Sequence, residues 1–466
     1  MLRATLLFLV LVLAATPARA IGDSLPDLGN PVDTVLSPAQ ERQIGAEVFS
    51  QLRERGGVVE DALIDSYLND LGIRLVSSSP GSPFAPNLVV VDNPTINAFT
   101  VPGGHIAVFS GLMLTAENES ELAGVIAHEI AHSTQRHIAQ RVAAQTGNSM
   151  TAVAGFIAGI LLGAVDPQLG AAVATAGIAG AAQSSINYTR MHEREADRIA
   201  LDTLTRAGVD PQGMVSFFEK LQRRAGADPG RQFEFLRTHP MNAERISAIK
   251  DRLESLPPTT THPDSHSFRL ARARLAALVG NTGMPLAEES DRQYRRAIVA
   301  RRAGNPREAA RLLSPLYKQD TSNLWYALPL ARALNDSGET ERADRILKDL
   351  IELYPSDATL MRVRIKWMLD RGETDSAYQA ARSAVEASPK DPTAALAMAE
   401  AANASGRALE HHEQLGRYFL LQGNLAAAHQ ELETAYTYTV DRPRARLRIE
   451  STLEDIERRA GQKREE

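Results

Sequence analysis

The chain has 466 residues, 44% of them hydrophobic and 23% charged, with a formal net charge of −6. That length suits two or three domains with a sizeable core, and the acidic balance gives no support for a nucleic-acid-binding surface. With no cysteine, disulfides are excluded, and so is a lipid-bearing cysteine at a processing site.

Residues 1–20 read as a secretory signal peptide. Arg3 supplies the charged start, Leu6 to Ala15 a short apolar stretch, and Ala18-Arg19-Ala20 an A-x-A processing site. Cleavage near Ala20 removes Arg3 and Arg19 and takes the net charge from −6 to −8. Export to a Gram-negative periplasm is the expectation. Residues 37–54 predict an amphipathic helix with Ser37 as cap, Pro38 at its first position and Gln40 closing a capping box. A second helix is expected over 60–77. The apolar runs Leu88 to Val91 and His105 to Phe109, the latter after a Pro102-Gly103-Gly104 turn, predict two strands of a small sheet. A helix from about Glu119 to Gln145 follows, capped by Asn118.

Residues 150–182 are rich in Ala and Gly, and three readings stand: a buried helical hairpin, a lid over a site, or an apolar element that touches lipid. Helices are expected at 189–206 and 211–224. The Pro/Thr/Ser-rich stretch 256–268 reads as a linker. Beyond it, Gly304, Gly338 and Gly372 are spaced 34 apart, as are Ala309, Ala343 and Ala377, and Pro355 and Pro389. Glycine at a turn, alanine at a tight helix crossing and proline after the second helix make the tetratricopeptide pattern. Gly406 keeps the step with His411 at the alanine position, and Gly423 with Ala428 resumes it half a repeat out of phase. The predicted architecture is mainly α: an α+β domain over 21–255 with a small sheet beside the 128–132 helix, a linker and connecting helix over 256–285, and an all-α repeat solenoid over 286–460.

The chemistry concentrates at His128-Glu129-Ile130-Ala131-His132. Two histidines four apart share one helix face and can hold one Zn²⁺ per chain, while Glu129 is placed to move a proton from water to a leaving amine. Position 138 is Ile and His137 falls one step early, which rules out a third histidine in the pattern of the metzincins. Glu193 and Asp197, in Glu-Arg-Glu-Ala-Asp, share a face of a later helix. Glu193 is the candidate third ligand, and Asp197 the candidate acceptor behind a ligand histidine; a solvated surface helix is the other reading of this pair. Glu195 lies about 200° round the helix from Glu193 and is left out. His105 and His137 read as structural or solvated.

These motifs, followed by Thr-His-Pro-Met-Asn-Ala-Glu-Arg-Ile at 238–246, resemble the zinc endopeptidase family of HtpX and the CAAX prenyl proteases, in a secreted form carrying C-terminal tetratricopeptide repeats. The resemblance implies two roles for His239: donor to the oxyanion, or a removable fourth ligand that switches the site off. It places Arg245 on the oxyanion side. It also implies that Asn97, Phe99 and the Gly103-Gly104 turn border an edge strand, the strand that follows the turn, along which an extended substrate adds. Implied partners are unfolded or misassembled outer-membrane β-barrel proteins and the barrel-assembly machinery, the latter reached through the repeats; peripheral membrane contact is a further expectation. Two functions follow: a quality-control endopeptidase that also assists barrel assembly, or an assembly chaperone whose proteolysis is gated or incidental.

Overall fold

A computed structural model of the protein describes residues 31–79, 81–146, 182–227, 234–257, 264–355 and 357–465. The expected leader at 1–20, the Ala/Gly-rich segment except Ala182, and the middle of the expected 256–268 linker lie outside the described residues. After a short 3₁₀ turn at Pro31–Thr34, α1 (Pro38–Glu54) starts with the expected capping box: Gln40 N–H donates to Ser37 Oγ, and Ser37 N–H donates to Gln40 Oε1 at 2.8 Å. Helix α2 (Ala62–Ser78) starts at the Asp61 cap.

Among the described residues the sheet has three strands, the two expected and one more: β1 (Asn87–Val91), β2 (Ala98–Val101) and β3 (His105–Phe109), in the order β1-β3-β2. β1 runs parallel to β3 and β2 antiparallel to it. The strand after the Gly103-Gly104 turn is therefore central, and the edges are β1, which is bridged at Val91 by Val58, and β2, which is only four residues long and gave no clear alternation in the sequence. Phe99 lies on that edge, and Asn97 just precedes it, its backbone carbonyl oxygen accepting from Phe109 N–H at 3.0 Å. Gly103 and Gly104, at φ 84° and 87°, are demanded by packing as well as by the turn: a Cβ on Gly103 would stand 2.6 Å from Arg42 Cα, and one on Gly104 2.6 Å from Ala85 O. One face of the sheet packs on Val48, Phe49 and Leu52 of α1 through Val89, Val91, Val101, Ala107 and Phe109. The other face, with Leu88, Val90, Ala98, Ile106 and Val108, joins the main core.

Short helix α3 (Ser110–Thr115) leads to α4 (Glu119–Thr134), buried on nearly every side, as a helix at the centre of a domain must be. The single helix expected to Gln145 is broken at Arg136, whose φ of 55° is left-handed, and α5 (His137–Thr146) starts afresh. A non-glycine residue there costs about 1–2 kcal/mol. Long-range contacts offset it: Arg136 donates to Glu41 and to Leu36 O, each at 2.6 Å, and to Asp33. Helices α6 (Ala182–Arg206), α7 (Gln212–Ala227), α8 (Glu234–Thr238) and α9 (Ala243–Ser255) complete the N-terminal part. Ser265, at the end of the expected linker, is tied down: its N–H and Oγ both donate to Glu119 at 2.9 Å.

Then α10 (His266–Leu278) leads into antiparallel pairs: α11 (Glu289–Arg302) with α12 (Pro306–Gln319), α13 (Leu324–Asp336) with α14 (Thr340–Leu353), α15 (Ala358–Asp370) with α16 (Thr374–Ala387), α17 (Pro392–Ala404) with α18 (Ala408–Leu421), and α19 (Leu425–Thr437) with α20 (Pro443–Glu465). Ala309, Ala343, Ala377 and Ala428 are all fully buried where paired helices cross. One apolar core runs from the sheet through α4 and α10 to Trp367 in the repeats. Across the seam, buried Arg274 grips Asp61 at 2.7 and 2.6 Å, joining α10 to the cap of α2. At the far end, Asn424 donates to Glu54 of α1 at 2.7 Å, and Gly423 lies against Ala46 too closely for any side chain.

Asp65 in α2 offers a stability test. One of its carboxylate oxygens is buried without a hydrogen-bond partner, and burial, with the charge of Asp61, pushes its pKa up to about 7. A raised carboxyl favours folding in its protonated form, an advantage complete below its unfolded value and lost as pH rises through about 7. Asp65→Asn is expected to raise unfolding free energy at pH 8 by about 1–2 kcal/mol and to change little at pH 5. Equal denaturant midpoints for both proteins at pH 8 would refute it.

Candidate metal centre and active site

Helix α4 carries His128 and His132 one turn apart, α6 brings Glu193 and Asp197 across from them, and the turn between α8 and α9 brings His239. The His128 and His132 Nε2 atoms lie 3.1 Å apart. Glu193 stands 3.4 Å from the first and 3.3 Å from the second. His239 Nδ1 lies 3.3 Å from His128 Nε2 and 3.1 Å from Glu193 Oε1. One donor atom from each of these four buried residues falls within a 4.8 Å span. Ligand atoms around a tetrahedral cation stand about 3.3 Å apart, so the donor set fits a metal ion bound by two imidazoles and a carboxylate, with His239 in reach of the fourth position.

Glu129 is 1% exposed. Its Oε1 lies 3.2 Å from His239 Nε2, and its Oε2 has no hydrogen-bond partner. A buried carboxylate oxygen left open beside a metal-binding cluster costs stability and is where a proton acceptor is needed. Asp197 Oδ1 sits 3.1 Å from His128 Nδ1. Burial alone would lower the His128 pKa, but Asp197 and Glu193 hold it at about 9. Burial lowers His132.

Arg245, on α9, is used differently from its expected oxyanion role. Its guanidinium grips Asp197 with Nε at 2.7 Å and Nη2 at 2.8 Å, while Nη1 lies 2.9 Å from both Glu193 Oε2 and Pro240 O. It clamps two carboxylates and a backbone carbonyl. Burial would raise the carboxyl of Asp197, but His128 and Arg245 hold it below its ordinary value.

Sequence reasoning missed His137 and Glu195. His137 Nδ1 lies 2.9 Å from His132 Nδ1, and its Nε2 lies 3.3 Å from Glu195 Oε2. Burial pushes His137 down to about 2, with His132 and His192 adding to the effect. On an unbroken helix, positions five apart diverge by about 140°; only the break at Arg136 turns His137 back, and nothing local in the sequence announces that break. His105 is also structural, partnered by Asn87 at 3.1 Å and packed edge-on to Phe49.

The helix-borne histidine pair with its neighbouring glutamate, the carboxylate from a second helix and the appended helical repeats define a metallopeptidase joined to a repeat solenoid. Comparison with known proteins agrees. A profile described as "Peptidase family M48" matches residues 63–253, and one described as "Tetratricopeptide repeat" matches residues 300–362. The chain is 36% identical over 359 residues to the "Beta-barrel assembly-enhancing protease" of Escherichia coli strain K12, covering 74% of this chain and 72% of that protein. It is 36% identical over 321 residues to the protein of the same name from Yersinia pestis, covering 65% of each. Over 219 residues it is 31% identical to the "Mitochondrial metalloendopeptidase OMA1" of Schizosaccharomyces pombe, covering 46% of this chain and 61% of that one. The chain belongs to peptidase family M48.

Proposed function

We propose that this protein is a zinc endopeptidase of outer-membrane quality control: it cleaves unfolded or stalled β-barrel proteins and assists barrel assembly, in the periplasm after its leader is removed near Ala20. The observation that carries the enzymatic part is the group His128, His132, Glu193 and His239 within 4.8 Å, with the open carboxylate of Glu129 beside it. The names of the relatives support the barrel-assembly part, and the repeats supply a surface for protein partners such as the assembly machinery. His128, His132 and Glu193 would hold one Zn²⁺ per chain, with Asp197 keeping the proton of His128 on Nδ1 so that Nε2 faces the metal. Bound zinc supplies Lewis acidity that acidifies water and polarises a carbonyl.

Glu129 then accepts the proton of the attacking water and passes it to the leaving amine. Arg245 holds Glu193 and Asp197 in register. An extended substrate adds to the β2 edge, near Phe99, through main-chain hydrogen bonds. His239, which lies between Glu193 and Glu129, would be in reach of the bound metal as a removable fourth ligand that keeps the site switched off. That resting contact favours a gated enzyme, in which folding assistance and cleavage share one polypeptide.

The test pairs elemental analysis with cleavage of casein, an unfolded protein. One zinc per chain is expected in the wild type, with activity lost on chelation and restored by Zn²⁺, and zinc lost in Glu193→Ala. His239→Ala is expected to keep zinc and cleave faster. A wild type without zinc, or cleavage indifferent to chelation, would sink the proposal.

A further inference from the structure

We infer that His137 and Glu195 form a hydrogen-bonded relay that sets the tautomer of His132, the counterpart of Asp197 behind His128. The inference rests on the metal reading above and asks what holds the second imidazole in its binding form. His132 turns Nε2 toward His128 and Glu193, so a cation there takes the Nε2 lone pair. A neutral imidazole has one N–H and one bare nitrogen, so the proton of His132 belongs on Nδ1. The partner of that N–H is the Nδ1 of His137, 2.9 Å away. Two ring nitrogens at that distance share one proton, so His137 accepts with Nδ1 and carries its own proton on Nε2. That nitrogen faces Glu195 Oε2 at 3.3 Å, an acceptor with nothing to donate. The carboxylate therefore dictates both tautomers from outside the metal cluster.

The ring of His137 has little freedom to do otherwise. It is 2% exposed and stacks on His192, with centroids 4.0 Å apart and planes 11° apart. His192 is in turn held by Gln140 Oε1 at 3.2 Å. The left-handed residue Arg136 brings His137 into this position, which gives the strained turn a function: without it the metal-side histidine would face no defined acceptor. Glu195 lies on the face of α6 away from Glu193, so one helix supplies a ligand on one side and a positioning group on the other.

The test is Zn²⁺ affinity, measured by competition with a chromogenic chelator, on the full-length protein. His137→Leu removes the acceptor and is expected to weaken binding about 10- to 100-fold. His137→Asn, whose Oδ1 can accept at a similar reach, is expected to stay within about threefold of wild type. Melting of the metal-free proteins separates this from a packing role, which would lower both variants alike without splitting their affinities. Should His137→Leu fail to fold, Glu195→Ala, at a partly exposed carboxylate, is expected to weaken binding several-fold. If the wild type binds zinc but His137→Leu or Glu195→Ala binds it equally well, or if His137→Asn loses as much as His137→Leu, the relay is refuted while the metal reading stands. A wild type that binds no zinc overturns both.

Discussion

Glu129→Gln is expected to slow casein cleavage by about 10²- to 10⁴-fold while leaving zinc content at one per chain. The amide matches the carboxylate in shape but cannot take a proton from water. Glu129 sits next to His128 in sequence yet is not among the four residues whose donor atoms cluster, so its loss should leave metal affinity intact. Its partly open, buried carboxylate can accept a proton at once without first breaking a hydrogen bond through Oε2. Single-turnover cleavage with matched zinc loading checks the expectation. Cleavage by Glu129→Gln within about threefold of wild type would mean that another group moves the proton, and the mechanism above would fall. Retained zinc with lost cleavage would also make this variant a trap for uncleaved clients.

Arg245→Met is expected to destabilise the metal-free protein by about 3–5 kcal/mol, the usual cost of stripping one partner from a buried ionic network. Arg245 is 5% exposed and its guanidinium lies against both Asp197 and Glu193. Methionine keeps much of the volume, so the loss reports charge and hydrogen bonds rather than a cavity. The two buried carboxylates would lose their guanidinium partner and be left facing imidazoles alone. Arg245→Lys should recover only part of the loss, because an ammonium cannot make the two parallel bonds to Asp197. Zinc should narrow the difference by neutralising Glu193. Denaturant unfolding of metal-free and zinc-loaded protein measures both quantities. A metal-free change under about 1 kcal/mol would show that the clamp contributes little. A fall in activity at unchanged stability and zinc affinity would return Arg245 to the oxyanion role that resemblance suggested.

Much of the fold was legible because its signals are local. The capping box at Ser37 and Gln40, the apolar runs of β1 and β3, and the 34-residue step from Gly304 to Gly372 each depend on residues a few positions apart or on a fixed repeat. Strand β2 was missed because four residues carry too little alternation to read. The sheet order was misread for a different reason: a turn tells which segment follows, not which strand ends at the edge. The continuous core from the sheet into the repeats, and the return of Asn424 to Glu54, had no sequence signal, since they join residues hundreds of positions apart.

The site divides in the same way. Sequence alone determined that His128 and His132 share a helix face with Glu129 beside them, and that Glu193 and Asp197 share another, because helical periodicity settles such relations within one element. Only the tertiary structure decided that these faces meet, that His239 enters between Glu193 and Glu129, and that Arg245 is taken up by carboxylates. Only it decided, too, that His137 turns back to His132: the backbone adopts the unfavourable left-handed conformation at Arg136 because Glu41, Asp33 and the Leu36 carbonyl, about a hundred residues earlier in the sequence, hold that side chain where the helix has to break.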